Sequence, residues 1–169
     1  QKGLVTEGQA QSKGDAWVVS TGGTAMVYVT RPEIKNKVIP QLRSILSGAE
    51  GIDQIYGEDE FAKFGLPVPA STDQAPDLFI TAKPDYSFGN ESDGDYVTQV
   101  SGGTHGYVNT DPKMQSIFIA WGAGVPKGIR LNSISNLDVA PTIAALLGLE
   151  MKTAKGHAIE QIVNAHVGH

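Results

Sequence analysis

The sequence predicts an α/β fold, in which apolar strands alternate with helices around a central sheet. Two apolar runs rich in β-branched and aromatic residues, at 24–30 and 77–81, are typical of strands. Apolar residues recur at helical spacing in two other segments, 32–48 and 138–148. Strands that alternate with helices favour an α/β arrangement over an all-helical or all-strand fold.

The first helix is predicted to begin at Pro32 and to end at Gly48. Proline suits the first turn of a helix, and glycine favours its end. Pro40 lies inside this helix and predicts a kink. The apolar face of the helix consists of Ile34, Val38, Leu42, Ile45 and Leu46.

Between the two main runs, IDQIYG, with Ile52 and Ile55, predicts a short strand and EDEFAKFGL a helix of one or two turns. Glycine, aspartate, serine and asparagine then dominate 85–103, which predicts a long loop. Residues 16–100 therefore predict a small α+β subdomain. We interpret 1–169 as one domain, with the residues before Asp15 as a partly ordered lead-in.

The C-terminal part predicts a strand followed by a helix. SIFIAWG, at 116–122, is an apolar run typical of a central strand. In the helix that follows, Asp138 is the expected cap, Pro141 lies in the first turn, and Gly148 marks the end. Residues 101–162 thus predict a core strand and a core helix.

Composition excludes several classes of function. Apolar residues make up 40% of the 169-residue chain and charged residues 18%, which is the composition of a folded domain. The net charge is −5, and the sequence has no basic run, so we expect neither nucleic-acid nor membrane binding. Cysteine is absent, which fits a reducing or an oxidising compartment and leaves the localisation unknown.

His105 is the candidate metal ligand. Glycines precede Thr104 and follow His105. They permit unusual backbone angles and the close approach of another group, which would present the imidazole at the edge of a sheet. Spacing alone favours a loop histidine that is hydrogen-bonded to the backbone. No second histidine or paired aspartate completes a catalytic zinc set around it. The other histidines, His157, His166 and His169, are interpreted as solvated tail residues.

No other residues form a recognisable catalytic set. The acids around the long loop are interpreted as solvated loop residues, and none is assigned to a metal. Thr21, Gly22 and Gly23 predict a turn in preference to a phosphate cradle, because the lysine of a P-loop is missing. The sequence has no GxSxG motif and no cysteine nucleophile, so no catalytic residue is assigned. The acids in question are Asp73, Asp77, Asp85, Asp93, Asp95 and Asp111.

The segments GGTHGYVNTDPKMQSIFIAWGAGVPKG and ISNLDVAPTIAALLGLEMKTAKGHAIEQI together resemble the C-terminal part of type I phosphodiesterases and nucleotide pyrophosphatases of the alkaline phosphatase superfamily. The resemblance covers 101–162, and WVVSTGGTAMVYV and PDLFITAKPDYSFG extend it upstream. It implies the C-terminal part of an alkaline-phosphatase-like sandwich, in which helices flank a central sheet.

The resemblance implies a metal role for His105. The histidine of HGY in this family is a ligand of a pair of metal ions, usually zinc. The remaining ligands and a threonine or serine nucleophile belong to the N-terminal half, which includes an Asp-His-Gly motif. We therefore expect this chain to begin after that motif and to be inactive as a hydrolase by itself.

The expected partners follow from this interpretation. They are the missing N-terminal half and, in the complete enzyme, a small phosphate-ester or nucleotide substrate. A fragment of this kind is also expected to self-associate through an exposed apolar face. The alternative is a noncatalytic module that binds a ligand or a partner protein through 85–103.

Overall fold

The computed structural model describes residues 14–90 and 94–164. The chain divides into two compact units, Gln1–Ser116 and Ile117–His169. Most of the predicted lead-in, residues 1–13, lies outside the described residues. Both strands and helices are present, which confirms the mixed α/β composition.

The first unit is built on a small four-stranded sheet. Its order is β1-β2-β4-β3, and every neighbouring pair is antiparallel. The strands predicted near 24–30, 52–57 and 77–81 are confirmed as the last three strands, whereas the first was not assigned from the sequence. The strands are β1 (Ala16–Ser20), β2 (Thr24–Val29), β3 (Ile52–Tyr56) and β4 (Leu78–Ala82).

The predicted first helix is confirmed. A short 3-10 helix, Pro32–Ile34, leads into α1 (Lys35–Leu46), which continues through Pro40. Val38 and Leu42 are buried on its inner face, and burying one such side chain stabilises a fold by roughly 1.5–3 kcal/mol. They share one apolar core with side chains of the sheet, namely Ala16, Ala25, Val27, Val29, Leu78 and Ile80.

The connections of the first unit are mostly irregular. The predicted short helix after β3 is a 3-10 helix, Glu58–Phe64, which ends at Gly65 in the left-handed conformation. Among the described residues of 85–103, none lies in a helix or strand, as the loop composition predicted. Residues 91–93, including Asp93, lie outside the described residues.

The second unit contains α2 (Val139–Leu146) and α3 (Glu160–Val163). Asp138 occupies the predicted capping position of α2, but its side chain does not cap that helix. Its carboxylate instead accepts hydrogen bonds from the backbone N–H groups of Ser135 and His157, at 3.2 and 3.0 Å. The buried Thr142 hydroxyl accepts from the Ile159 N–H at 2.9 Å and so joins α2 to the chain before α3.

The predicted core strand at 116–122 is wrong. Residues 117–121, which we call the apolar segment, form no strand, and Ile117, Ile119 and Trp121 are 90%, 83% and 95% exposed. Within the described part of the chain, no residue makes a hydrogen bond to this segment. A strand requires a neighbouring strand for its N–H and C=O groups, and an apolar run supplies no such neighbour.

The helices of residues 14–90 and 94–164 are all too short or too polar to cross a bilayer.

Candidate functional site

The loop that carries His105 packs directly on the turn between β1 and β2. We call residues 104–107 the HGY loop and residues 21–23 the glycine turn. The Gly23 N–H donates to the His105 carbonyl at 2.8 Å. On the side chain, Nδ1 of His105 lies 3.2 Å from the Thr21 carbonyl oxygen. Backbone and imidazole are thus both held by the same turn.

Glycines make this close packing possible. Gly22 and Gly106 have φ angles of +87° and +76°, which lie in the left-handed region that favours glycine. A Cβ atom on Gly22 would overlap the His105 carbonyl, and one on Gly106 would overlap the Thr21 carbonyl. A Cβ atom on Gly23 would overlap the ring of Tyr107. Side chains at these three positions would therefore separate the loop from the turn.

Tyr107 anchors the other end of the HGY loop. Its hydroxyl donates to the Tyr86 carbonyl at 2.6 Å. The Tyr86 hydroxyl in turn donates to the Glu50 carboxylate at 3.0 Å, and this hydrogen bond raises the pKa of Tyr86 above its usual value. The HGY loop is thereby tied to the chain after β4 and, through Tyr86, to the chain before β3.

The glycine turn is itself fixed to the sheet. Its Gly22 and Gly23 carbonyls accept hydrogen bonds from the N–H groups of Phe88 and Ala82, at 2.7 and 2.9 Å. The Gly23 N–H is already used by His105, so it is not available to an anion. Residues 21–23 thus form the turn that the sequence predicted.

The imidazole of His105 is exposed to solvent. The hydrogen bond at Nδ1 confirms the expectation of a loop histidine bonded to the backbone. Nε2 has no hydrogen-bond partner within residues 14–90 and 94–164. A carbonyl oxygen only accepts, so this hydrogen bond requires a proton on Nδ1, and in a neutral ring the lone pair would then be on Nε2.

A cavity of about 430 Å³ adjoins the HGY loop. Thr104 and Tyr107, on the two sides of His105, belong to its wall, and Tyr56 and Phe64 form an aromatic side of it. The Tyr56 and Phe64 rings pack edge to face, with centroids 4.8 Å apart. Ligand sites commonly have this size and this mixture of aromatic and polar walls.

The carboxylates around the long loop that lie within the described residues do not join His105. Asp77 is buried and binds Lys35 and β2, while Asp111 accepts from the Lys113 N–H at 2.9 Å within its own turn. Asp85 lies in the cavity wall with φ of +67°, and Asp73 and Asp95 are exposed. No set of three histidine, cysteine or acidic residues in the described ranges is arranged to hold a metal ion.

The remaining histidines belong to the C-terminal part of the chain. His157 belongs to the second unit, and its side chain is exposed, as the sequence predicted. His166 and His169 lie outside the described residues, so their interpretation as tail residues stays a prediction.

The sequence did not identify the partners of His105. The contact between Thr21 and His105 spans 84 positions along the chain, and a backbone carbonyl leaves no signature in a side chain. The available signal was the presence of glycine at 22, 23 and 106, because closely approaching backbones require it.

Comparison with protein-family models, curated proteins and solved structures finds no match for this chain.

Proposed function

We propose that this chain is part of a metal-dependent phosphodiesterase of the type I phosphodiesterase and nucleotide pyrophosphatase family, and that His105 is one of its metal ligands. The observation that carries the proposal is the state of His105. Its Nδ1 is engaged by the Thr21 carbonyl, whereas Nε2 has no partner among the described residues and the ring is exposed. Histidines that bind metals typically donate their other N–H group to a carbonyl or carboxylate in this way.

The residues present fit one ligand position of a divalent ion. A neutral imidazole suits zinc and several other ions, and the family resemblance favours two zinc ions. When bound, such ions would neutralise charge that develops on the phosphoryl group. This chain would hold His105 in place, while the other ligands and the nucleophile would come from residues outside it. We therefore expect the chain to lack hydrolase activity by itself.

The cavity beside the HGY loop supports binding of a small phosphate ester. Thr104 and Tyr107 both belong to the cavity wall, and Thr104 is next in sequence to His105, the proposed metal ligand. Its volume of about 430 Å³ suits the organic group of such a substrate. Nucleotides, other phosphodiesters and phosphonates are all candidate substrates.

The apolar segment supports an alkaline-phosphatase-like sandwich in the complete protein. Ile117, Ile119 and Trp121 stand at alternate positions in the sequence, as side chains on one face of a strand would, and their exposure is high for such large apolar side chains. We propose that 117–121 becomes a strand of a larger sheet when strands from outside this chain lie beside it.

The proposal is tested by turnover of a chromogenic phosphodiester with added zinc. The chain is compared with a longer protein that extends upstream through an Asp-His-Gly motif. Only the longer form should hydrolyse the substrate, because one histidine does not form a catalytic metal site. Turnover by neither form would contradict the proposed function.

Loss of a residue that supports a metal ligand typically costs roughly 10- to 100-fold in activity. Within the longer protein, His105→Ala removes a proposed ligand itself and should lower kcat/KM by more than that. His157→Ala is the matched control, because His157 is an equally solvated histidine in the second unit. It should leave kcat/KM unchanged within about twofold. Equal losses in the two variants would remove His105 from the metal site.

Self-association of the isolated chain gives a separate prediction. We expect concentration-dependent oligomers in size-exclusion chromatography, because the apolar segment exposes large side chains without a partner strand in the described residues. The double substitution Ile119→Thr and Trp121→Thr should shift the chain to monomer. Val100→Thr removes another side chain that is 77% exposed and should have no effect. A monomer that binds no hydrophobic dye would favour the noncatalytic binding module instead.

A further inference from the structure

The glycine turn contacts His105 at its backbone and at its ring. The Gly23 N–H fixes the His105 carbonyl at 2.8 Å, and the Thr21 carbonyl accepts from Nδ1 at 3.2 Å. Two contacts from one rigid turn restrict both the position of the loop and the rotation of the imidazole. A surface histidine without such contacts would sample several rotamers and both neutral tautomers.

We propose that the glycine turn is a positioning element that holds His105 in the neutral tautomer with the proton on Nδ1. The Thr21 carbonyl has no proton to donate, so the hydrogen bond forms only when Nδ1 carries one. The lone pair is then confined to Nε2, the nitrogen that has no partner among the described residues. The inference rests on the proposed function only in naming a metal ion as the group that Nε2 would bind.

Gly22 and Gly106 are the residues through which this positioning acts. The absence of a Cβ atom at each position allows the HGY loop to lie in contact with the glycine turn. A Cβ atom on Gly22 would overlap the His105 carbonyl, and one on Gly106 would overlap the Thr21 carbonyl. Thr104 would add to the overlap in a Gly22 variant, because its Oγ1 lies 2.7 Å from where a Gly22 Cβ would be. A side chain at Gly22 should thus release the ring without touching the ring itself.

The test is the tautomer of His105 in the metal-free chain, read from the ¹⁵N chemical shifts of the ring at about pH 8, where unperturbed imidazoles are neutral. We expect a protonated Nδ1 and an unprotonated Nε2 at His105. His157, whose ring has no hydrogen bond among the described residues, is the internal reference and should show averaged tautomers. Spectra of His105→Ala and His157→Ala assign the signals. An averaged His105, or one protonated on Nε2, would overturn the inference.

Gly22→Ala supplies the second arm of the test. It should move the His105 shifts to those of His157, with the sheet retained in the amide spectrum. Gly48→Ala is the matched control, because Gly48 has a similar φ of +80° but nothing within 4 Å of its Cβ position. This control should leave the tautomer unchanged, and a Gly22→Ala variant that keeps the wild-type tautomer would count against the inference.

In the longer metal-binding protein, Gly22→Ala should weaken zinc affinity by roughly 10- to 100-fold, as loss of support for a ligand does elsewhere. Gly48→Ala should not change it. The two proposals fail separately: a fixed tautomer without zinc binding would sink the proposed function alone, whereas zinc binding with an averaged tautomer would sink the positioning role alone.

Discussion

Replacement of Asp77 by alanine should lower the free energy of unfolding by about 3 kcal/mol, the low end of the range for removing one partner of a buried ion pair. The Asp77 side chain is 6% exposed. Its Oδ2 accepts from the Val29 N–H at 2.7 Å, and its Oδ1 lies 2.6 Å from Nζ of Lys35. One carboxylate therefore connects β2, α1 and the start of β4.

The expected loss comes from the groups that alanine leaves behind. The Val29 N–H would be buried without an acceptor, which costs roughly 1–3 kcal/mol. Lys35 would lose its counter-charge, but its side chain is 32% exposed, so its ammonium can turn toward water. This partial exposure is why the low end of the range applies.

Urea unfolding of Asp77→Ala measures the effect, and Asp73→Ala is the control. Asp73 is exposed and lies four residues away in the same loop, so its loss should change stability by less than about 0.5 kcal/mol. Asp77→Asn retains an acceptor for the Val29 N–H but removes the charge, so it should fall between the two. Equal stability of the alanine variants would show that the buried pair contributes nothing.

Asp77 also shows that burial through long-range contacts is not predicted by the sequence. In the sequence it is one of several acids near the long loop, and all of them were interpreted as solvated. Its burial follows from contacts with residues 48 and 42 positions earlier, Val29 and Lys35. Such contacts have no local signal, whereas the run 77–81, which begins with Asp77, was recognised as a strand from its apolar and β-branched residues.

Elements with complete local signals were predicted well. The first helix has a proline at its start, helical apolar spacing and a glycine at its end, and the structure contains it almost as expected. The apolar segment had an equally clear pattern and is not a strand. The difference is physical: a helix satisfies its own backbone hydrogen bonds, but a strand depends on residues distant in sequence.

The candidate site was also predicted only in part. Glycines near His105 indicated the close approach of another group, and in the structure the backbone of Thr21 lies against Gly106. Neither the identity of the second backbone nor the hydrogen bond to Nδ1 had a signal in the sequence. The metal role of His105 came from the family resemblance and stays a proposal.

Gly106→Ala should destabilise the first unit by about 3 kcal/mol, because it combines backbone strain with an overlap that the turn cannot relieve. The residue has φ of +76°, and its Cβ atom would overlap the Thr21 carbonyl oxygen. Relief requires the HGY loop to leave the turn. The hydrogen bonds from Gly23 to His105 and from Tyr107 to Tyr86 would then be lost, each worth about 1 kcal/mol.

Gly65→Ala separates the overlap from the strain. Gly65 has nearly the same φ, +71°, but its Cβ position has nothing within 4 Å. This variant should therefore lose only about 1 kcal/mol, the cost of placing alanine in a conformation that favours glycine. Urea unfolding of both variants gives the difference. If they lose the same amount, the HGY loop does not depend on its contact with the glycine turn. His105 would then lack the fixed geometry on which its proposed role as a metal ligand rests.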